Sequence, residues 1–267
     1  MFYAAARVTR TKNHPADVTD EQWKLIAPLL PKPRPGGRPR SADLRGVFNG
    51  VVYVVRGGVP WRMLPHDLPP WARVHFYYRR WRLDGTWDEV LEVLRTRLRH
   101  ADGRRKSPSA AVVDSQTVRT ASGGERGYDA GKRTPGRKRH IIVDTMGLLL
   151  AVVVLSATVQ ERDGVKLMGE RIKGRFPRLR LIWADAAHEA AVGWAKRLGG
   201  WILELVRKAP GQVSFEVLKR RWGVERTFAW MMRSRRLARD YERLTESNEA
   251  MVKVAAIHLM LKRSKPT

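Results

Sequence analysis

Three carboxylates stand apart from the other acids of this sequence. Asp114 closes the apolar run Ala-Ala-Val-Val-Asp, and Asp185 closes Leu-Ile-Trp-Ala-Asp. An ionised carboxylate in either place loses hydration that its own segment does not return. If both runs are strands of one sheet, the two acids come side by side, and their repulsion demands a counter-charge such as a divalent cation. Glu225 is the third. It lies in Arg220-Arg-Trp-Gly-Val-Glu-Arg-Thr-Phe-Ala-Trp230, where helical spacing gathers Trp222, Glu225, Phe228, Ala229 and Met232 on one face. An acid in such a stripe needs a partner, either a metal ion or a salt bridge to Arg221 or another nearby arginine. Oxygen ligands in a chain without cysteine favour Mg²⁺ or Mn²⁺ over Zn²⁺. Two such ions, about 3.5–4 Å apart and bridged by one aspartate, would account for all three acids. One would activate a water or hydroxyl as nucleophile, the other would stabilise the leaving oxygen. Other acids have plainer readings: Asp144 as a turn residue, Asp163 as a helix N-cap, Asp129 as a solvated loop residue.

The charge says what such a site would act on. The chain carries 52 Lys and Arg against 26 Asp and Glu, a formal net charge of +26. Charge on this scale points to a polyanionic partner, and nucleic acid is the usual one. Candidate phosphate contacts are Lys132, Arg133, Arg137, Lys138 and Arg139 in the Gly-rich basic stretch 131–140, and Arg73, Tyr77, Arg79 and Arg80 around a helix in 70–83. For each, a solvated charged surface is the alternative. The absence of cysteine excludes disulfides and thiol nucleophiles. No apolar run reaches the ~18–20 residues of a membrane span, and the N-terminus lacks the pattern of a secretion signal. These features together lead us to expect a cytoplasmic, nucleoid-associated protein with no membrane partner.

The elements that must position these residues follow from periodicity. Residues 1–17 read as a loose leader. Thr19-x-x-Gln22 is a capping box opening a first helix. The Pro/Gly/Arg run 31–40 stops it. Ser41 is expected to cap a second helix ended by Gly57-Gly58, a third runs over 70–83, and a second capping box, Thr86-x-x-Glu89, opens a fourth to about residue 100. A basic, aromatic helix after a turn suggests a helix-turn-helix-like, all-α, DNA-binding domain over 18–100. Polar residues 101–109 separate it from 110–267, where the periodicity changes. Strands are expected at 110–113, 138–144, 148–157, 179–184 and 201–206, with helices at 164–175 and 189–198 and helical chain from about 213. Three strands, helix, strand, helix, strand, long helix is the order of the ribonuclease-H-like α/β fold, a mixed five-stranded sheet with flanking helices.

At these residues the chain resembles the DDE-class transposases of bacterial insertion sequences, in the insertion-sequence-five group. The resemblance runs from about Thr19 to Lys262 and is carried by TDEQWKLIAPLLP, GGRPRSADLRGVFNGVVYVVRGGVPWRMLP, VVDSQTVRT, GRKRHIIVDTMGLLLAVVV and, most specifically, RRWGVERTFAWMMRSRRLARDYE. It implies Asp114, Asp185 and Glu225 as the catalytic, metal-binding triad and Arg221 as a contact to DNA strands near it. It also implies Mg²⁺ (or Mn²⁺) dependence and cleavage followed by strand transfer at the terminal inverted repeats of the chain's own element. By analogy it implies a dimer acting on two DNA ends. Two positions depart from the pattern: Ala187-His188 stands where the family has Gly-Tyr, and Leu218 where it has Tyr. His188 is then either a proton carrier or a drifted residue. Competing readings are a catalytically decayed DNA-binding copy and a nuclease that cuts without joining.

Overall fold

A computed structural model describes residues 14–33, 36, 41–121, 123–207 and 220–264. Most of the expected leader, most of the 31–40 loop, and Leu218 with the start of the long helix lie outside the described residues.

Four helices come first. Helix α1 (Asp20–Ile26) has the expected capping box: the Thr19 hydroxyl accepts from the Gln22 amide (3.2 Å), and the Gln22 side chain accepts from the Thr19 amide (3.0 Å). Helix α2 (Leu44–Gly57) is capped by Asp43, not Ser41; its carboxylate accepts from the Gly46 amide at 3.0 Å. Ser41 lies too far from the first helical residue to reach the free amides. Gly58, at φ +73°, ends α2. Helices α3 (Trp71–Leu83) and α4 (Thr86–Ala101) follow. The second capping box does not form. Thr86 is already helical, behind a left-handed Gly85, and both its amide and hydroxyl bond to Asp84. Val74, Tyr78 and Trp81 point inward from α3 as the spacing requires, and Trp81 meets Trp87 edge-on at 5.2 Å.

The sheet holds the expected strands: β1 (Ala110–Val118), β3 (Thr134–Asp144), β4 (Leu149–Ser156), β5 (Leu181–Ala184) and β6 (Ile202–Leu205). A short β2 (Gly127–Asp129), which periodicity did not reveal, pairs with the start of β3. Strand β3 lies antiparallel between β1 and β4, β1 runs parallel to β5, and β5 parallel to β6. This is a mixed ribonuclease-H-like sheet, its parallel pairs joined by crossovers containing helices α5 (Glu161–Ile172) and α6 (Val192–Gly199). Those two helices cover one face. The other face is covered by α4, α7 (Trp222–Met232) and α8 (Thr245–Arg263). With both faces covered, β3 and β4 read as near-continuous apolar runs.

Three acids differ from their sequence readings. Strand β1 continues past Asp114 because Ser115 and Thr117 alternate polar-in on a paired strand, so Asp114 sits mid-strand rather than at its end. Asp163 lies within the first turn of α5, whose N-cap is Gln160. Asp129 is buried and accepts from the Thr117 hydroxyl (2.6 Å) and the Lys132 amide (3.0 Å). Asp144 is a turn residue, as its place before the hairpin predicts. One of its oxygens accepts from the amides of Met146 and Leu148 (both 2.9 Å), and the other pairs with Arg99 at 2.5 Å. Fully buried, this pair ties α4 to the β3–β4 hairpin.

One hydrophobic core joins α1, α2, α3 and α4 to α8 and to a face of the sheet. Phe48, Val51, Trp81, Trp87 and Leu94 share it with Met251, Ile257, Val143 and Val152. His258 of α8 is buried in this layer, and desolvation pushes its pKa down to about 3. The unfolded chain, with imidazole near 6.5, binds a proton that the fold refuses. Stability contributed by neutral His258 is therefore present above about pH 6.5 and lost as pH falls from there toward 3. We predict a loss of about 2 kcal/mol at pH 5 relative to pH 8 from this residue alone, seen by denaturant titration at both pH values; His258→Leu should remove that part of the pH dependence.

Candidate active site

Asp114 is placed by β1, where it faces Ile141 of β3 in register. Asp185 is the first residue beyond β5, the strand that runs parallel beside β1. Glu225 lies in the first turn of α7. Helix α7 is fixed on the sheet by Val224 and Met231 in the core and by the Thr227 hydroxyl, which donates to the Gly147 carbonyl in the hairpin turn (3.0 Å). Gly147, at φ +77°, leaves no room for more: a Cβ there would come within 2.7 Å of that hydroxyl. The buried face of α7 is thus Val224–Thr227–Met231. The stripe through Trp222 and Glu225 faces outward, with Trp222 exposed and Glu225 half-buried, so Glu225 lies outside the core.

The three acids converge on one guanidinium. Nη2 of Arg221 lies 3.0 Å from Asp114 Oδ2, 4.0 Å from Asp185 Oδ2 and 3.9 Å from Glu225 Oε1. Of the two sequence alternatives for Glu225, the arginine partner is the one in place: it faces Arg221. Burial raises the Asp114 carboxyl above its ordinary range, opposed by Arg221 and by the Ser115 amide at 2.7 Å. Burial pushes Asp185 the same way, but its bond with His188 and the charges of His188 and Arg221 outweigh it and hold the carboxyl low. Arg221 is half-buried; burial disfavours its charge, and the surrounding carboxylates more than restore it. A ring of carboxylate oxygens that already collects a cation has the donor chemistry of a Mg²⁺ or Mn²⁺ site.

Beside the triad, Nδ1 of His188 bonds Asp185 Oδ1, and His188 is fully buried. Ala187 is not at positive φ, since Arg133 (φ 47°) is the sole non-glycine there among the described residues. Ala in place of Gly therefore imposes no backbone strain. An open groove of about 560 Å³ leads to Asp185 and Arg221, lined also by Ala187, Glu189 and Arg207.

The basic residues divide sharply. Arg73 and Arg79 are exposed on α3, with Arg80 and Tyr77 half-buried. Lys132 and Arg133 are exposed on the β2–β3 turn, and the Lys132 ammonium reaches to 3.5 Å of the Ser115 carbonyl, next to Asp114. Arg137, Lys138 and Arg139 are buried, which corrects their reading as phosphate contacts. Arg137 pairs with Asp240 (2.8 Å) and donates to the carbonyls of Glu242 and Arg243. Arg139 donates to Asn248 (2.8 Å) and the Leu237 carbonyl. Lys138 donates to the Val159 carbonyl and lies 3.5 Å from Asp129. Arg137 and Arg139 thus hold the 237–243 segment on the sheet, while Lys138 ties β3 to Val159 and Asp129. Glu161, close to Asp185 and His188, escaped the sequence reading: an acid opening a helix looks like a complement to the helix dipole, and nothing in its spacing marks it out.

With this geometry in view, comparison with known proteins is decisive. The transposase DDE domain family matches residues 105–260, and a family described as a candidate transposase of the IS4/5 family matches residues 18–91. The chain belongs to the DDE transposases. It is 34% identical over 119 residues to an uncharacterized 16.2 kDa protein of insertion element IS402 from Burkholderia cepacia, covering 41% of this chain and 77% of that one. It is 26% identical over 150 residues to a candidate transposase for insertion sequence element IS402 from the same organism, covering 54% and 70%. No solved structure matches. Among the described residues, no helix of this transposase is long and apolar enough to cross a membrane.

Arg221 occupies the space among the acids that a dication would compete for. In a partly desolvated site a guanidinium 3.0 Å from a carboxylate opposes a second cation by a Coulomb term of kcal/mol size. Arg221→Gln is expected to bind Mg²⁺ more tightly than the unaltered protein in calorimetric titration, and to melt at lower temperature without metal. Weaker Mg²⁺ binding in this variant would show that Arg221 helps to build the site and does not compete for it.

Proposed function

We propose that this transposase binds the terminal inverted repeats of its own insertion sequence, cleaves DNA at the ends and joins the 3′-hydroxyl strands to target DNA. The observation that carries this reading is the convergence of Asp114, Asp185 and Glu225, from three separate elements, on the Arg221 guanidinium. In this reading the three carboxylates hold two Mg²⁺ or Mn²⁺ ions, which when bound supply an activated nucleophilic oxygen and a stabilised leaving oxygen. The chain's own contribution is position and charge. Strands β1 and β5, parallel and hydrogen-bonded, fix the spacing of the two aspartates. Helix α7 sets Glu225 against them. Arg221, once released by the acids, is in place to hold a phosphate of the DNA strand near the reacting bond. Exposed Lys132 reaches the Ser115 carbonyl beside Asp114, Arg133 is exposed next to it in the turn, and Arg73, Arg79, Arg80 and Tyr77 offer phosphate contacts on α3. Cutting at two ends and joining them to one target favours a dimer on DNA.

The test is a strand-transfer assay with labelled element ends, a target plasmid and Mg²⁺ or Mn²⁺. Asp114→Asn, Asp185→Asn and Glu225→Gln are each expected to lower joining by roughly 10³-fold or more, since a metal site stabilises the transition state by several kcal/mol. Full joining by Asp114→Asn would overturn the reading. Metal-dependent cutting without joining would make the protein a nuclease, and end binding alone a decayed copy.

End binding should weaken steeply with salt. A log–log slope of about −0.9 per phosphate neutralised is expected, and Lys132→Ala with Arg133→Ala should flatten it by about two phosphates' worth. No change in slope would place the DNA elsewhere on the surface.

A further inference from the structure

Asp185 divides its two carboxylate oxygens between different neighbours. Oδ2 faces Arg221, 4.0 Å away, and with it the triad. Oδ1 bonds Nδ1 of His188. On the His188 side stands Glu161, the first residue of α5, and ligand atoms of Glu161, Asp185 and His188 all lie within 4.8 Å of one another. The triad members Asp114 and Glu225 are not part of this group. Asp114 and Ser115 are successive residues of β1 and so point to opposite faces of the sheet. Ser115 is the one that belongs here: its hydroxyl donates to Glu161 at 2.9 Å.

A second, independent feature marks the same place as unfinished. His188 is fully buried, and its Nε2 has no hydrogen-bond partner among the described residues. Ser115 lies opposite His140 of β3 in register, so the two share a sheet face. His140 is also fully buried, with neither ring nitrogen partnered among the described residues. Gly164 of α5 stands directly over it, and a Cβ there would fall 2.2 Å from the ring. Leaving a buried polar group unpaired is costly, and an imidazole nitrogen of His188 beside the carboxylates of Glu161 and Asp185 gives the donor set of a metal site.

We propose that Glu161, Asp185 and His188 form a second cation site, on the α5 side of the sheet, that takes a transition-metal dication and shares only Asp185 with the triad. One imidazole nitrogen with carboxylate oxygens suits Zn²⁺ or Mn²⁺ better than Mg²⁺, and the usual affinity order puts Zn²⁺ ahead of Mn²⁺. The Ser115 hydroxyl orients Glu161 as a supporting hydrogen bond does for a metal-ligating carboxylate. The His at 188, where the family has Tyr, is then what makes the nitrogen donor available. The site stands or falls apart from the strand-transfer reading, because Glu161 and His188 are not members of the triad.

The experiment is calorimetric titration of the purified full chain with Zn²⁺, alongside Co²⁺ as a visible-absorption probe of nitrogen ligation. The unaltered protein and Asp114→Asn are expected to bind Zn²⁺ alike and to give the same Co²⁺ spectrum. Glu161→Gln should weaken Zn²⁺ binding by about 100-fold, a ligand mattering at least as much as its supporting bonds, and His188→Ala should abolish the Co²⁺ band. Zn²⁺ affinity and Co²⁺ spectrum unchanged in both Glu161→Gln and His188→Ala would overturn the site. So would loss of Zn²⁺ binding in Asp114→Asn with Glu161→Gln unaffected, which would assign the ion to the triad. If His188→Ala does not fold, by circular dichroism, Glu161→Gln decides alone, since it keeps size and shape at a half-buried helix start.

Discussion

Three carboxylates held around one point repel each other, and the architecture of this transposase follows from supplying both the force and the countercharge that keep them there. The force is backbone pairing and packing. Parallel strands β1 and β5 bring Asp114 and Asp185 together, and the packing of α7 on the hairpin turn adds Glu225. The countercharge is Arg221, one helical turn before Glu225 and in reach of all three acids. A rigid sheet is required because flexible loops would let the acids part and lose the shared cation.

The same constraint explains why not all of the +26 charge faces outward. Arg137 and Arg139 lie under the chain that links α7 to α8 and satisfy its carbonyls and the carboxylate of Asp240. Arg99 does likewise for Asp144. Removing one member of such a buried pair costs about 3–5 kcal/mol, because the other is left as an uncompensated charge. These arginines are mortar for the scaffold behind the acids. Of the cations named as phosphate candidates, Lys132, Arg133, Arg73 and Arg79 are the exposed ones.

Much of this was legible in the sequence. Apolar runs ending in acids marked β1 and β5, the hairpin read correctly around Asp144, and the Thr19 box gave α1 its start. What was not legible depends on distance along the chain. Arg137 reads as a surface cation because its acceptors lie more than 100 residues away, at Asp240 and Glu242. Strand β1 was cut short because Ser115 and Thr117 look like loop residues until their partners on β3 are known. Helix starts shifted by a residue or two where several capping residues compete, as Ser41 and Asp43 do. The outward face of Glu225 was masked because helix α7 carries apolar residues on both sides. Glu161 had no pattern to betray it, since its neighbours come from β1, β5 and the turn beyond.

The core shared between helices α1 to α4 and helix α8 has a consequence for how the protein is made. Phe48, Trp87 and Leu94 wait for Met251 and Ile257, which leave the ribosome well over a hundred residues later. A chain whose translation stops early would carry the α3 cations yet could not bury the apolar side of its helices. Such a fragment is exposed to aggregation and proteolysis. Building the helices and the sheet around one interior thus makes the ordering of α1 to α4 wait for the part of the chain that also carries Asp114, Asp185 and Glu225.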